Sequence, residues 1–394
     1  MTKQRRVWLW FAATSMVFFT RAFIYSSILS RGPEIQTALH LDTAQMGFLS
    51  MLYPAGGVLG LTFSSLLVSR FGTRKVNTGT YALAALGFIA LGVAIDSGNL
   101  ALSALCLILV GLPMAISDFV GNIEGTGVNN ASKYSLFTAI HGLFGVGMLV
   151  GANWASWMIA NDVSISATYL GVGIFVGVVS ITAGFAFQTP AQKVASAEEK
   201  RAERERTVRV WFEKRSLLIA VIGFSFIMAE SSAGTWVPIA LTQVGFTGAE
   251  AAFAFGIFWI VITVGRLLGG FVVDRLGRRW TIFLCAVMTA AGILVFMGGQ
   301  VIHLPYLGLV LWGLGMSAGF PLTITAMGDE PAMASARINM IISVVYISSV
   351  TVGPALGAVG QSLGLYAAFG IPLILLVLSA AISGVTKPLV VNQN

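Results

Sequence analysis

Hydrophobic runs long enough to cross a bilayer recur along this chain. Ala101–Gly111 and Ile371–Ala381 lie inside two of them, and neither holds a charged residue. A helix needs about 20 apolar residues to span the hydrocarbon. Strands of a membrane barrel would instead show short stretches alternating apolar and polar side chains, so these continuous runs are read as helices. Composition closes off a soluble form. Of the 394 residues 56% are hydrophobic and only 10% charged, against about 25% charged in a soluble domain.

The runs predict spans near 7–30, 43–69, 77–95, 100–123, 134–158 and 166–188, then 215–238, 249–273, 280–299, 304–327, 338–358 and 364–386. The expected fold is therefore an all-α integral membrane protein with twelve transmembrane helices in two six-helix bundles. Residues 1–188 form the first bundle, 189–214 a polar linker, and 215–394 the second. Val208, Val210, Trp211 and Phe212 near the end of the linker suit an interfacial helix.

The formal charge of +7 is not spread at random. Basic residues gather in alternate turns: Lys3, Arg5 and Arg6; Arg70, Arg74 and Lys75; Lys133; the stretch Lys193–Arg215; Arg275, Arg278 and Arg279; Arg337; Lys387. The intervening turns carry only Arg31. Such asymmetry marks the cytoplasmic side. It places both termini in the cytoplasm of a multi-pass inner-membrane protein whose partner is the lipid bilayer, not nucleic acid. Val7–Ser30 is too long for a cleaved signal sequence. Cys106 and Cys285 fall in separate runs without motif spacing and are read as buried thiols.

The two halves repeat. A shift of 205 places Pro33 on Pro238, Arg70 on Arg275, Gly72 on Gly277 and Arg74 on Arg279. Parallel six-span repeats joined by a central loop are an architecture of secondary transporters. The turn after the second run, Ser65–Lys75, and its copy Gly270–Trp280 are similar to the G-x-L-a-D-R-x-G-R-R/K signature of the major facilitator superfamily. The chain resembles that family over essentially its whole length. Within it, the fourth run (Asp118-Phe-Val-Gly-Asn122-Ile-Glu-Gly125), His141-Gly-Leu-Phe-Gly-Val-Gly147 in the fifth and Glu230 with Trp236 in the seventh resemble the branch containing fucose permease. The resemblance implies transport of a small solute with protons by alternating access, no cofactor, and a monomer. It also implies a gate built from Arg70, Gly72, Arg74, Asp274, Arg275, Gly277, Arg278 and Arg279. In this gate the glycines permit tight turns and Asp274 pairs with a helix N-terminus.

Charged groups at lipid depth cost a few kcal/mol each, so those present are candidates for function. Arg21 and Glu230 each lie 15 residues beyond a basic boundary, Arg6 and Arg215, or ~22 Å of helix rise. Asp118 lies at a comparable depth before Lys133. Asp118 and Asn122 share one helical face, and Arg21 is the cation available to balance Asp118. Asp118 and Glu230 are expected to bind a proton or the substrate, Arg21 to be a counter-charge or anion site, and Asn122 and Trp236 to touch substrate. His141 is a candidate for coupling. Glu124 is expected at the cytoplasmic edge, solvated. Arg266 is expected in a charge network near Asp274, and Asn339 and Tyr346 are weaker candidates.

Two family expectations are unmet. The sugar symporters of the branch carry an acid on the first span, where this chain has Arg21, which suits an anionic solute as well as a sugar. Drug-efflux members carry a Pro in their fifth-span glycine motif, which Gly142–Gly151 lacks. Efflux antiport of amphipathic compounds is therefore the alternative reading. His40, His141 and His303 are scattered, and no metal, nucleophile or phosphate-loop motif is present. This chain is not expected to be an enzyme or to use ATP.

Overall fold

The computed structural model describes residues 3–134, 136–188, 205–206, 208–298 and 304–389. Most of the 189–214 linker, and His303, lie outside the described residues. Among the described residues the secondary structure is entirely helical. The helices are α1 (Lys3–Ser30), α2 (Gly32–Ala38), α3 (Thr43–Ser50), α4 (Leu52–Asp96), α5 (Leu100–Ala131), α6 (Phe137–Ala160) and α7 (Ile165–Gly184). There follow α8 (Lys214–Gln243), α9 (Gly248–Met297), α10 (Leu304–Met327), α11 (Pro331–Leu363), α12 (Leu365–Ala368) and α13 (Gly370–Ile382), and a 3-10 turn Ser383–Thr386.

Ten helical stretches among the described residues are long and apolar enough to cross a membrane. Two exceed one crossing, Thr43–Asp96 with 54 residues and Gly248–Met297 with 50; the shorter corresponds to ~75 Å of rise. Each is broken at a glycine. Gly72 sits at φ 75°, ψ 160° and Gly277 at φ 74°, ψ 159°, a backbone region essentially closed to side chains. The sequence reading ended its spans at these turns, 69 to 77 and 273 to 280. The break falls inside both of these turns but is a single residue wide, because one glycine redirects the chain without a loop. Helix starts elsewhere follow local chemistry: Asp42 accepts from the Gln45 amide (2.8 Å) before α3, and Asn99 from the Leu102 amide (3.0 Å) before α5.

The chain divides into two compact units, Met1–Val194 with Val237–Trp259, and Ala195–Trp236 with Ile260–Asn394. In the first, α4 packs on α5 and α7, and α1 packs on α6, α7 and α5. The α4–α5 seam is close because both helices lack side chains there: a Cβ on Gly60 would meet the Leu112 carbonyl, and one on Gly111 the Tyr53 carbonyl. In lipid such close packing, not water exclusion, holds helices together. Helix α1 is also pinned by polar bonds. The Tyr81 hydroxyl donates to Val17 O (2.7 Å), Thr20 Oγ1 meets Ser180 Oγ (2.7 Å), and Ser26 Oγ donates to Met148 O (2.6 Å). In the second unit, Ile219, Ala326, Met340 and Ile341 form a buried cluster joined by Val210. This linker residue is thus packed in protein, while Phe212 beside it is exposed. Cys106 and Cys285 are both buried and free.

Candidate functional site

The rigid hold on α1 sets the place of Arg21. Its guanidinium forms an ion pair with Asp118 on α5, the side chains being 15% and 32% exposed. Asn122, one turn on, donates its Nδ2 to Asp118 O (2.8 Å) and to Asp118 Oδ1 (3.2 Å). It therefore holds the acid in place. The Phe18 and Phe144 rings lie 4.8 and 5.1 Å from Arg21 Cζ, within cation–π range. His141 is exposed; its ring is 4.6 Å from Phe18 and 4.4 Å from Phe137, with Nδ1 3.0 Å from Phe137 O. Arg21 and His141 thus flank Phe18, and Asp118 with Asn122 is tied to Arg21, all in one unit. Opposite charges in contact offset the cost each would incur alone within an apolar, membrane-length helix.

The second unit carries its own pair, Arg266 Nη2 to Glu230 Oε2 at 3.1 Å, 34% and 20% exposed. Arg266 therefore answers Glu230 on α8. Trp236 also departs from expectation: it is fully buried, so its ring presents no open face to a solute. Asn339 is exposed and Tyr346 half-buried.

Glu124 corrects the sequence reading most sharply. It is fully buried, not solvated. Its Oε2 accepts from Trp10 Nε1 at 2.6 Å and from the Gln188 amide at 3.3 Å. Hydropathy gave no sign of this, because the burial comes from α1 and from the end of the sixth predicted span. Arg31, read as a turn charge, is also buried, with Nε 2.8 Å from Glu34 and Nη2 donating to Val163 O at 2.6 Å.

In the gating motif Asp274 is exposed, and the acid that Arg278 meets is Asp329. Arg278 Nη1 and Nη2 reach its two oxygens at 2.7 and 2.5 Å, and Arg215 Nη2 adds a contact at 2.7 Å. Burial alone would raise the Asp329 carboxyl, but the hydrogen bonds and charges of Arg278 and Arg215 outweigh it and hold the group below its ordinary value. Sequence reasoning passed over Asp329 because it follows α10, outside the repeated turn. Arg70, Arg74, Arg275 and Arg279 lie against aromatic rings, those of Phe71, Phe185, Phe271 and Trp280.

The family model of the Major Facilitator Superfamily matches residues 10–354 and 219–391. An uncharacterised MFS-type transporter of Yersinia pestis is 25% identical over 378 residues, covering 95% of each chain. The 4-hydroxybenzoate transporter PcaK of Acinetobacter baylyi is 25% identical over 181 residues, covering 43% of this chain and 38% of its own. Among solved structures, FucP in the outward conformation superposes with a TM-score of 0.67 at 15% identity, covering 96% of this chain and 98% of its own. The D-xylose-proton symporter gives 0.73 at 13%, with 98% of each chain covered. These structural likenesses speak for the fold. Together with the family match over nearly the whole length, they establish that this multi-pass membrane protein belongs to the major facilitator superfamily, a family of transporters and not of enzymes.

Proposed function

We propose that the chain is a secondary active transporter of the inner membrane. It moves a small polar organic solute, sugar-like or an organic anion, by alternating access in symport with protons. The observation that carries this is the Arg21–Asp118 pair on helices of membrane-crossing length, partly open and surrounded by aromatic rings. A paired carboxylate that can lose its cation has a reason to take up a proton. Asp118 and Glu230 serve as the titratable acids, Arg21 as counter-charge, Asn122 as the residue that positions Asp118, and His141 as a neighbour of the site. Counting the helix on each side of Gly72 and Gly277 separately supports twelve spans in two sets of six. The alternate basic turns support cytoplasmic termini. The motif residues Arg70, Arg74, Arg275, Arg278 and Arg279 belong to the cytoplasmic gate. The likeness to a D-xylose-proton symporter and to a 4-hydroxybenzoate transporter agrees with a sugar-like or anionic solute.

Reconstituted protein is expected to take up its solute in response to a pH gradient, and Asp118→Asn to abolish that response. Unchanged proton-coupled uptake by Asp118→Asn refutes the assignment.

A further inference from the structure

Arg21 is arranged as a receptor for a carboxylate. Its planar fork of N–H donors matches a carboxylate, and the one that meets it in this structure is the protein's own Asp118. The walls are aromatic, with Phe18 and Phe144 beside the guanidinium and His141 against Phe18. Phe18 is seated on the bare backbone of Gly121, where a Cβ would come within 2.8 Å of its ring, so the wall adjoins the helix bearing Asp118. The pair remains 15% and 32% exposed. A ligand shifts an equilibrium only by its differential affinity for the two states. A neutral solute gives Arg21 little reason to release Asp118; a second carboxylate does.

Resting on the transport reading above, we propose that the solute is an organic monocarboxylate with a ring or apolar body, and that it displaces Asp118 from Arg21. The substrate carboxylate pairs with Arg21 while its body lies against His141 and Phe144, with the buried Phe18 ring backing them. The freed Asp118 carboxylate, left without its cation on a helix of membrane-crossing length, takes one proton, because loss of a neighbouring cation removes what favoured its charged form. One anion and one proton therefore bind together, and no net charge is added. On the other side the proton leaves Asp118, the substrate leaves Arg21, and the internal pair re-forms. The neighbouring titratable groups have partners of their own: Tyr81 with Val17 O, Glu124 with Trp10, and His141 with Phe137 O. Glu230 and Arg266 balance each other in the second unit.

The test uses two matched pairs of probes, benzoate with benzamide and gluconate with glucose. Binding is measured by calorimetry on the full-length protein, and transport in proteoliposomes. At least one carboxylate is expected to bind about tenfold or more tightly than its neutral counterpart. Arg21→Gln should weaken it roughly 10- to 100-fold, the worth of one charge-assisted hydrogen-bonded pair. Asp118→Asn should bind the carboxylate at least as tightly as wild type and exchange it across the vesicle, yet no longer respond to a pH gradient. Wild-type uptake should follow the pH gradient and ignore a potassium diffusion potential. If Arg21→Gln fails to fold, the double variant R21Q/D118N, which leaves no unpaired charge, reports the same loss of binding. Equal binding of the neutral probes, undiminished binding without Arg21, loss of binding in Asp118→Asn, or binding of none of the four at millimolar concentration overturns the proposal. Proton-driven glucose uptake that ignores Arg21 overturns the carboxylate alone and leaves the transport reading standing. Absence of uptake and exchange for every solute tried removes the transport reading as well.

Discussion

Replacing Asp329 with alanine strips the acid from a three-way charge cluster. Arg278 grips both its oxygens, at 2.7 and 2.5 Å, and Arg215 adds a contact at 2.7 Å. Asp329 and Arg278 are 11% and 10% exposed, Arg215 23%. Removing one partner of a fully buried pair costs about 3–5 kcal/mol, since a charge is left without an answer, whereas an exposed pair is worth about 1 kcal/mol or less. This cluster lies nearer the buried limit, and after a discount for its residual exposure the expected loss is about 2–3 kcal/mol. For a unit of this size each kcal/mol moves the melting midpoint by about 2–4 °C, so the variant should melt roughly 4–12 °C lower. The assay is thermal unfolding of purified protein followed by the fluorescence of buried tryptophans such as Trp312. Acid dependence gives the sign. The folded Asp329 carboxyl lies below its ordinary value, so its contribution is complete above the unfolded value of about 4. It is lost as pH falls through the lowered folded value. The gap between wild type and variant should therefore close only in strong acid. Adding Arg278→Gln to the variant removes an orphaned cation and should recover part of the loss. A midpoint at neutral pH indistinguishable from wild type, with no recovery in the double variant, would refute the cluster's structural role.

Two further predictions concern single positions. Gly277→Ala and Gly72→Ala meet no neighbour within 4 Å, so their cost is backbone strain alone, about 1–3 kcal/mol. Asn should be no better than Ala, since ψ near 160° lies outside the left-handed helical region it tolerates; an Asn variant melting like wild type counters this. Glu124→Gln keeps an oxygen for Trp10 Nε1, whereas Glu124→Ala leaves a buried indole N–H without it, at about 1–3 kcal/mol. Equal melting of the two variants would show that the Trp10 bond contributes nothing.

Much of the fold was legible because its signals are local. Membrane-length runs, the repeated turn at Gly72 and Gly277, and the presence of Arg21, Asp118 and Glu230 inside apolar runs are all properties of short windows. The breaks near residues 70 and 275 were drawn wider than they are, because basic side chains resemble a loop in hydropathy, while the backbone stays helical on both sides of one glycine. Trp236 read as an accessible ring because a tryptophan near a span end has the same local pattern whether it meets solute or protein.

The amino-acid sequence determined by itself that this chain lives in a membrane, folds as repeated helices and carries a few charges inside its apolar runs. The pairing of Arg21 with Asp118 was already readable from their placement, but only the tertiary structure decided the other partners. It joined Arg266 to Glu230 and Arg278 to Asp329, and it enclosed Glu124 beneath Trp10. Hydropathy sums over neighbours in the chain, whereas the pairing of ionised groups depends on how each helix is rotated about its axis. That rotation is set by contacts between residues far apart in sequence.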